Sequence, residues 1–271
     1  MACYGGYMKF KLSALEREWA KVEKDESIYV TKQLNKEDTK LNKLLADKVP
    51  ESLQKTLDGA FSKAFHAVFE KGTDLIEKTY KKDEIEKDYK INAYAASIKE
   101  NKKTLKAFSK KASGAGKSNL LLSGASGIGM GVLGIGIPDI VVFTSLMLRS
   151  VYEISLNYGF DYKSTEEKEF ILLVIQGAVS HDTKLLKIND ELNHYMEQGT
   201  FISAIHLEEC IKETARCLSK ELLYMKFLQG IPLVGAVGGA YDVVYLKQIN
   251  KFAELKYRRR FLVGKKKKNE I

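Results

Sequence analysis

The sequence predicts an all-α protein, a multi-helix bundle in which two glycine-rich helix-start segments pack in one core. Three observations lead to this prediction. The chain of 271 residues is 45% hydrophobic, which is enough for a sizeable core, and it contains only three prolines. Its apolar residues recur at helical spacing over long stretches. The sequence does not show the short alternating runs, separated by regular turn signals, that a sheet protein needs.

The N-terminal part, residues 1–112, is predicted to form charged amphipathic helices. Ser13 and Glu16 have the spacing of a capping box at a helix start. Pro50 stands where a second helix begins, ahead of a stripe of large apolar residues with i, i+4 spacing. The stripe consists of Leu53, Leu57, Phe61, Phe65 and Phe69. Residues 81–113 are lysine-rich and weakly periodic, so we expect a solvated helix or a linker there and a domain boundary after residue 112.

Residues 113–263 are predicted to form the helical core. One helix begins at Pro138 and stops at Gly159, because proline is tolerated at the first helical position and glycine commonly follows the last. Ser164 and Glu167 again have capping-box spacing, before the apolar start of another helix. Further helices are expected over 182–197, over 206–228 and after the second glycine-rich segment.

Half of the twenty glycines lie in two uncharged segments, residues 120–138 and 227–241. An aspartate follows each segment, Asp139 in the first case and Asp242 in the second. Glycine loses much backbone entropy on folding and has no side chain to bury, so this concentration needs a structural reason. We expect close helix packing to be that reason. The candidate close-packing glycines are Gly127, Gly131, Gly235, Gly238 and Gly239.

Asp139 and Asp242 have three interpretations. The favoured one places each carboxylate in the first turn of a helix, where a negative charge complements the helix dipole. In the second, both face one pocket and serve an enzyme or a ligand-binding protein. In the third, residues 120–148 form an integral membrane hairpin, since the nineteen uncharged residues before Asp139 are long enough to span a bilayer. An aspartate at that depth would cost about 2.5 to 3.5 kcal/mol.

Two other patterns suggest binding sites but are incomplete. Residues 116–118 match the end of a phosphate-binding loop, but Lys111 stands where the motif needs a glycine and no buried strand precedes it. His206 and Cys210 share one helical face, with Cys217 two turns further, yet four convergent metal ligands are missing. We therefore predict no metal, no cofactor and no catalytic residue, and we favour a protein that is not an enzyme.

The net charge of +9 is concentrated near the C-terminus. Residues 256–268 contain eight basic residues and no acidic one, and these eight account for all but one unit of the net charge. Basic side chains interleaved with apolar ones beside an amphipathic helix are typical of attachment to an anionic membrane. No nucleic-acid-binding motif accompanies them, so we favour a membrane over nucleic acid. The predicted membrane or anion contacts are Lys247, Lys251, Arg258, Arg259, Arg260, Lys265, Lys266, Lys267 and Lys268.

Residues 264–271 form a basic tail, and a solvated tail without any partner is the alternative for Lys265 to Lys268.

The cysteines are Cys3, Cys210 and Cys217, an odd number that suggests free thiols packed as small hydrophobic groups in a reducing compartment. The N-terminus shows no signal-peptide pattern. We therefore expect a cytoplasmic protein that is peripheral at the inner face of the cell membrane.

Six short segments form two motif blocks. The first contains GIGIPD at 134–139, RSVYEI at 149–154 and YGFD at 158–161, and the second contains IPLVGA at 231–236, YD at 241–242 and YRRRFL at 257–262. In order and in their distinctive residues these blocks resemble the EcsC family of bacterial proteins, over roughly residues 115–263. Trp19 adds to the resemblance, since members often start with a charged helix that bears a tryptophan.

The resemblance implies a setting and no catalytic residue. The family takes its name from a protein encoded with the ATPase and membrane subunits of an ABC transporter, linked to the secretion and processing of exported proteins. It therefore implies an accessory or regulatory protein at the cytoplasmic face. Its partner would be an anionic membrane surface or a membrane protein such as an ABC transporter. The sequence does not indicate an oligomeric state.

Overall fold

The computed structural model describes residues 12–35, 50–122, 138–204, 206–228 and 240–269. Side chains are described within these ranges except at 115–122, 138–139, 182, 224–228, 240–243 and 269. Every regular element in the described ranges is helical, so the all-α prediction is confirmed.

The described ranges contain nine helices, and the second of them is counted as one although it consists of three contiguous stretches. They are α1 (Ala14–Leu34), α2 (Glu51–Ala67, continued by a π-helical turn at Val68–Gly72 and by Thr73–Glu77), α3 (Lys82–Ile98), α4 (Lys102–Leu122), α5 (Pro138–Asn157), α6 (Thr165–Val179), α7 (Asp182–Gln198), α8 (Leu207–Leu228) and α9 (Ala240–Asn269).

Several helix ends follow from local sequence. The capping box of α1 is present: the Ser13 hydroxyl accepts from the Glu16 amide at 3.1 Å, and the Ser13 amide donates to the Glu16 carboxylate at 2.6 Å. The Ser164 hydroxyl caps α6 in the same way, accepting from the Glu167 amide at 3.1 Å. The Glu167 carboxylate does not return to the cap, because it binds side chains of α9. The predicted box at α6 is therefore only half formed.

Two glycines end helices in the left-handed backbone region. Gly159 follows α5 with φ of 84°, and Gly199 caps α7 with φ of 81°. Residues with a Cβ rarely adopt such φ values, which explains why glycine stands at both helix ends. Gly159 also lies against the Tyr89 ring, which occupies the space that a side chain would need.

The apolar stripe of α2 is part of the core, as its spacing predicts. Leu57, Phe61 and Phe65 are buried, and Leu53 and Phe69 are partly buried against them. The helix packs on α8 and α5. Each buried side chain of this size stabilises the fold by roughly 1.5 to 3 kcal/mol.

The helices α5 and α6 lie at the centre of the molecule. All of α6 from Glu169 to Val179 is buried, and this helix packs against α7, α8 and α9. In α5, the segment Ile140–Asn157 has a mean hydropathy of 1.2 and is long enough to cross a membrane, but 94% of it is buried inside the fold. The later part of the hypothetical hairpin 120–148 is thus surrounded by protein, and its residues 123–137 lie outside the described ranges.

The lysine-rich stretch 81–113 consists mostly of helix. It contains α3 and the first half of α4, and α4 buries Leu105, Phe108 and Ala112. The backbone of α4 continues without interruption through the boundary expected after residue 112. Residues 116–118 also have helical backbone, which differs from the loop that a phosphate-binding motif requires.

Gly177 of α6 lies in a close contact between core helices. A Cβ added to this residue would lie 2.5 Å from Cε1 of Phe252 on α9 and 3.1 Å from Cγ2 of Ile188 on α7. The glycines that the sequence suggested for close packing lie in ranges that are not described. Gly177 has that role in the described core, although its sequence neighbourhood did not single it out.

We expect Gly177→Ala to lower the free energy of unfolding by about 1 to 3 kcal/mol, because the added methyl group overpacks the contact with Phe252. Urea unfolding followed by circular dichroism would measure the change. Gly59→Ala is the matched control, since no atom lies within 4 Å of a Cβ placed on Gly59 in α2. That substitution should stabilise the protein by about 0.5 to 1 kcal/mol. Equal stability of Gly177→Ala and the unmodified protein would contradict the packing described here.

Candidate functional site

The basic segment of α9 is directed into the molecule. Lys256 is fully buried, Arg259 is buried, and Arg258 and Arg260 are mostly covered by neighbouring helices. Their partners lie on α1, α6 and α7. We call this set of residues the charge cluster. Its members are Lys256, Arg258, Arg259 and Arg260 on α9, Glu18, Asp25 and Glu26 on α1, Glu167 on α6, and Asn189, Asn193 and Glu197 on α7.

Lys256 forms the centre of the cluster. Its Nζ donates to Glu26 Oε1 at 2.9 Å, to Asn189 Oδ1 at 2.6 Å and to Asn193 Oδ1 at 2.9 Å. An ammonium group has three N–H donors, so all three are satisfied in a site that water does not reach. The Asn193 amide donates in turn to Glu26 at 2.8 Å, which closes the network.

Burial and pairing act in opposite directions on the central ion pair. Burial lowers the pKa of Lys256 to about 8, although the Glu26 carboxylate works against this shift. The ammonium group is therefore charged at neutral pH. Burial alone would raise the pKa of Glu26, but Lys256 and Arg259 outweigh that effect and hold the pKa below its ordinary value of 4.5. The pair consequently remains ionic inside the protein.

Two arginines extend the cluster over α1. Arg259 binds Glu26 at 3.1 Å and Glu197 at 3.0 Å, while its guanidinium group lies 4.9 Å from the centre of the Trp19 ring. Arg258 binds Glu18 at 2.6 Å and Asp25 at 3.2 Å. Charge-assisted hydrogen bonds of this kind are stronger than neutral ones, and they attach α1 firmly to α9.

Arg260 is directed towards α6 and α7. It binds Glu167 at 2.6 Å and lies 4.2 Å and 4.6 Å from the ring centres of Phe160 and Phe170. The Tyr257 hydroxyl donates to the same carboxylate at 2.6 Å. Burial, together with the Glu167 charge, raises the pKa of Tyr257 well above its ordinary value, so this hydroxyl remains a donor.

The prediction of an outward-facing contact needs correction for Arg258, Arg259 and Arg260. Each of them has a carboxylate partner within the molecule and is largely shielded from solvent. The three residues follow one another along the helix, so their side chains point in different directions around α9, which is surrounded by other helices at this level. Although residues 256–268 contain no acid, the three arginines are thus balanced by acids from distant parts of the chain.

The predicted contact lysines of α9 lie closer to solvent. Lys247 and Lys251 are exposed, and the Lys251 ammonium lies 5.7 Å from the Tyr29 ring centre. In the final turns, Lys265 and Lys266 are half-buried, and Lys266 lies 4.3 Å from the Trp19 ring centre. Lys267 and Lys268 are exposed, and Lys267 donates to the Glu197 carbonyl oxygen at 2.5 Å.

The backbone of Asp139 lies in the first turn of α5, directly after Pro138, and that of Asp242 lies in the first turn of α9. The interpretation of these two carboxylates as helix-start charges stays a prediction. The side chains of both aspartates lie outside the described set. The same is true of Gly127, Gly131, Gly235, Gly238 and Gly239, so their predicted packing stays a prediction.

A second polar network joins the end of α2 to the loop after α5. The Tyr162 hydroxyl donates to Glu77 at 2.7 Å and lies 2.6 Å from the Tyr80 hydroxyl, while Lys82 and Lys163 approach the same carboxylate at 3.0 and 3.3 Å. Burial raises the pKa of both tyrosines, so they stay neutral. The sequence did not indicate this network, because its members come from separate helices and loops.

An open surface cavity of about 410 Å³ lies between α2 and α8. It is lined by Asp58, Gly59, Ser62, Lys212, Glu213 and Arg216, with two acidic and two basic residues.

Among the described residues, no group of three or more His, Cys, Asp or Glu side chains could hold a metal ion. Cys210 and Cys217 are free and buried, and burial raises the pKa of Cys210 to about 12, so its thiol stays protonated.

The acidic partners on α1 escaped the sequence interpretation, although a signal for them exists. The residues of α1 that face the core are Leu15, Glu18, Val22, Glu26, Tyr29 and Gln33. Successive members are three or four positions apart, which is the spacing of one helical face. Glu18 and Glu26 thus occupy positions of an apolar stripe. An acid in such a position indicates a buried basic partner, but not which one.

Comparison with known proteins connects the cluster to a family. The model of the EcsC protein family matches residues 13–262. The chain belongs to the EcsC family. The match begins at the cap of α1 and ends in α9, so it includes both sides of the charge cluster and extends well beyond the resemblance over 115–263. Lys265 to Lys268 lie outside the matched range.

Two relatives come from Bacillus subtilis (strain 168). "Protein EcsC" is 26% identical over 229 residues, which cover 83% of this chain and 84% of that protein. "Uncharacterized protein YdbA" is 25% identical over 162 residues, which cover 59% of this chain and 60% of that protein. No solved structure matches the chain.

We expect Lys256→Met to destabilise the protein by about 3 to 5 kcal/mol, because it removes one partner of a buried ion pair and leaves Asn189 and Asn193 without their donor. Denaturant unfolding would measure the loss. Lys247→Met is the matched control on the solvent side of α9 and should change stability by less than about 0.5 kcal/mol. A Lys256→Met protein as stable as the control would show that the cluster does not hold α1 against α9.

We expect the stability difference between the unmodified protein and Glu26→Gln to narrow as the pH falls below about 4.5. Folding lowers the pKa of Glu26. The contribution of its carboxylate to the free energy of unfolding is therefore fully present above the pKa that Glu26 has in the unfolded chain, and it is lost as the pH falls through the lower, folded-state pKa. Thermal unfolding between neutral and acidic pH would test this. Glu23→Gln, an exposed change on the same helix, should follow the unmodified protein at every pH. A constant difference for Glu26→Gln would contradict the lowered pKa.

Proposed function

We propose that this EcsC-family protein is an accessory or regulatory protein, without catalytic activity of its own, that binds peripherally to the cytoplasmic face of the cell membrane. The observation that carries the proposal is the basic end of α9. Once the charge cluster has taken up Lys256 and the three arginines, Lys265 to Lys268 still follow them at the end of the helix. Lys267 and Lys268 are exposed there.

The position of these lysines suits a flat anionic surface. Lys266, Lys267 and Lys268 lie in the last turn of a long helix, so all three are near a surface that meets the end of that helix. A lysine or arginine near an anionic leaflet contributes about 1 kcal/mol to binding. Because Arg258, Arg259 and Arg260 are paired internally, the attraction at this end of α9 would come from the lysines. The family resemblance suggests a membrane protein, such as an ABC transporter, as a further partner.

The accessory role is supported by the way in which the fold uses its charged groups. The buried ions of the cluster are bound to one another, and they join helices rather than line a cavity. The one cavity that we describe, between α2 and α8, contains neither Asp139 nor Asp242. Nucleic acid is a weaker candidate, because no nucleic-acid-binding motif accompanies the exposed lysines.

We expect the protein to sediment with vesicles that contain phosphatidylglycerol and to remain in solution with phosphatidylcholine alone. Replacing Lys265, Lys266, Lys267 and Lys268 by Gln should weaken sedimentation at low salt, and about 1 M salt should release the unmodified protein because the screening length falls to about 3 Å. The arginines are left intact, since changing them would break the fold.

The matched control replaces Lys21, Lys24 and Lys32, which are exposed on α1, by Gln. This variant should sediment like the unmodified protein. Absence of any binding to anionic vesicles would overturn the proposal of a peripheral lipid contact. Binding that resists both high salt and carbonate would instead support the integral hairpin.

A further inference from the structure

A second surface combines exposed apolar and basic side chains, and it lies on α3 and α4. Ile91, Tyr94 and Ile98 of α3 are 65%, 70% and 68% exposed. Their spacing of three and four residues places them on one face of the helix. That face points away from Ala96, which is buried on the opposite side. Large apolar side chains exposed in a row on one helix commonly mark a binding surface.

The neighbouring helix adds positive charge on the same side. Lys111 of α4 binds Asp88 of α3 at 2.6 Å, and the rings of Tyr89 and Phe108 lie 5.8 Å apart, so the two helices run side by side. Helix α4 buries Leu105, Phe108 and Ala112 and exposes Lys103, Lys106 and Lys110 on its opposite face. We call Ile91, Tyr94, Ile98, Lys103, Lys106 and Lys110 together the hairpin surface.

The positive charge of this surface exceeds the nearby negative charge, although Glu100 lies in the connection between α3 and α4. Helix α4 contains six lysines and no acidic residue. Lys103, Lys106 and Lys110 form no ion pair with any residue that the structure describes, in contrast to Lys111. From Tyr89 to the end of α3 there is no acidic residue either. The hairpin surface is therefore complementary to a partner that is both anionic and able to accept apolar groups.

We propose that the hairpin surface binds the surface of an anionic lipid bilayer. Ile91 and Ile98 would enter the boundary between head groups and acyl chains, and Tyr94 would place its ring there with the hydroxyl towards water. The lysines are long enough to reach the phosphate groups while their methylene stems follow the apolar side chains. This inference rests on the proposed peripheral role and assigns it a second contact besides the end of α9.

The two basic regions lie at the same end of the molecule. The rings of Phe108 and Phe261 lie 4.4 Å apart, and the Ser113 hydroxyl donates to Glu254 at 2.8 Å. Residue numbers thus rise along α4 as they fall along α9, so the two helices are antiparallel. The start of α4, which bears Lys103 and Lys106, lies beside the end of α9, which bears Lys265 to Lys268. One bilayer could meet both.

The test compares two variants in the same sedimentation assay with phosphatidylglycerol vesicles. One replaces Lys103, Lys106 and Lys110 by Gln, and the other replaces Ile91, Tyr94 and Ile98 by Gln. The lysine variant should partition about a hundredfold more weakly, since each lysine near an anionic surface contributes roughly fivefold. The apolar variant should also lose binding, and its binding should not recover at low salt. Variants at Lys21, Lys24 and Lys32 control for the change in net charge.

A fluorescent probe separates insertion from charge attraction alone. Ile98→Cys, labelled with an environment-sensitive dye in a Cys3→Ser background, should shift its emission to shorter wavelength on addition of phosphatidylglycerol vesicles. Ile28→Cys, at an exposed apolar residue on α1, should not shift. If both variants of the hairpin surface sediment normally and only the variant at Lys265 to Lys268 loses sedimentation, this inference is overturned while the proposed function stands. If the unmodified protein does not sediment at all, both fail.

Discussion

The buried ammonium group of Lys256 is the constraint on which the other contacts of the charge cluster depend. A charge without water must find enough acceptors, and here Glu26 of α1 and two asparagines of α7 supply them. This requirement determines how α1 and α7 lie against α9. Once α1 is in place, Glu18 and Glu26 come within reach of the arginines that follow Lys256. Buried ionic contacts have narrower geometric requirements than apolar ones, so we expect those of the cluster to favour one arrangement of these helices.

The basic segment of α9 performs two tasks in successive turns. Over residues 256–260 the helix is surrounded, and its basic side chains reach three different neighbouring helices. Beyond Leu262 the lysines reach solvent, apart from the contacts of Lys265 with Phe261, of Lys266 with Trp19 and of Lys267 with Glu197. Proximity in sequence therefore does not imply a common role for these residues. Basic side chains form ion pairs inside the protein near Arg259, whereas about two turns later they are available to an external partner.

The accuracy of the sequence interpretation depended on the distance over which each feature is determined. The capping box at Ser13, the stripe of α2 and the helix end at Gly159 depend on residues within a few positions, and all were predicted correctly. The orientation of Arg258 to Arg260 depends in part on acids of α1, which are more than two hundred positions away in the sequence. Helical periodicity contains no information about such pairing. Glu18 and Glu26 in an apolar stripe were the available signal. For residues 81–113 a solvated helix or a linker was expected. The exposed face that α3 and α4 share could be recognised only from the way in which the two helices pack.

The contacts between α1 and α9 also have a consequence for the order of folding. Arg258 and Glu18 are 240 positions apart, and Lys256 and Glu26 are 230 apart. During synthesis, α1 leaves the ribosome long before its ionic partners exist, so its two buried acids must stay hydrated until α9 has been made. Contacts of such long sequence separation form slowly, because a large loop must close before they contribute. Helix α1 is thus expected to be among the last elements to reach its final position.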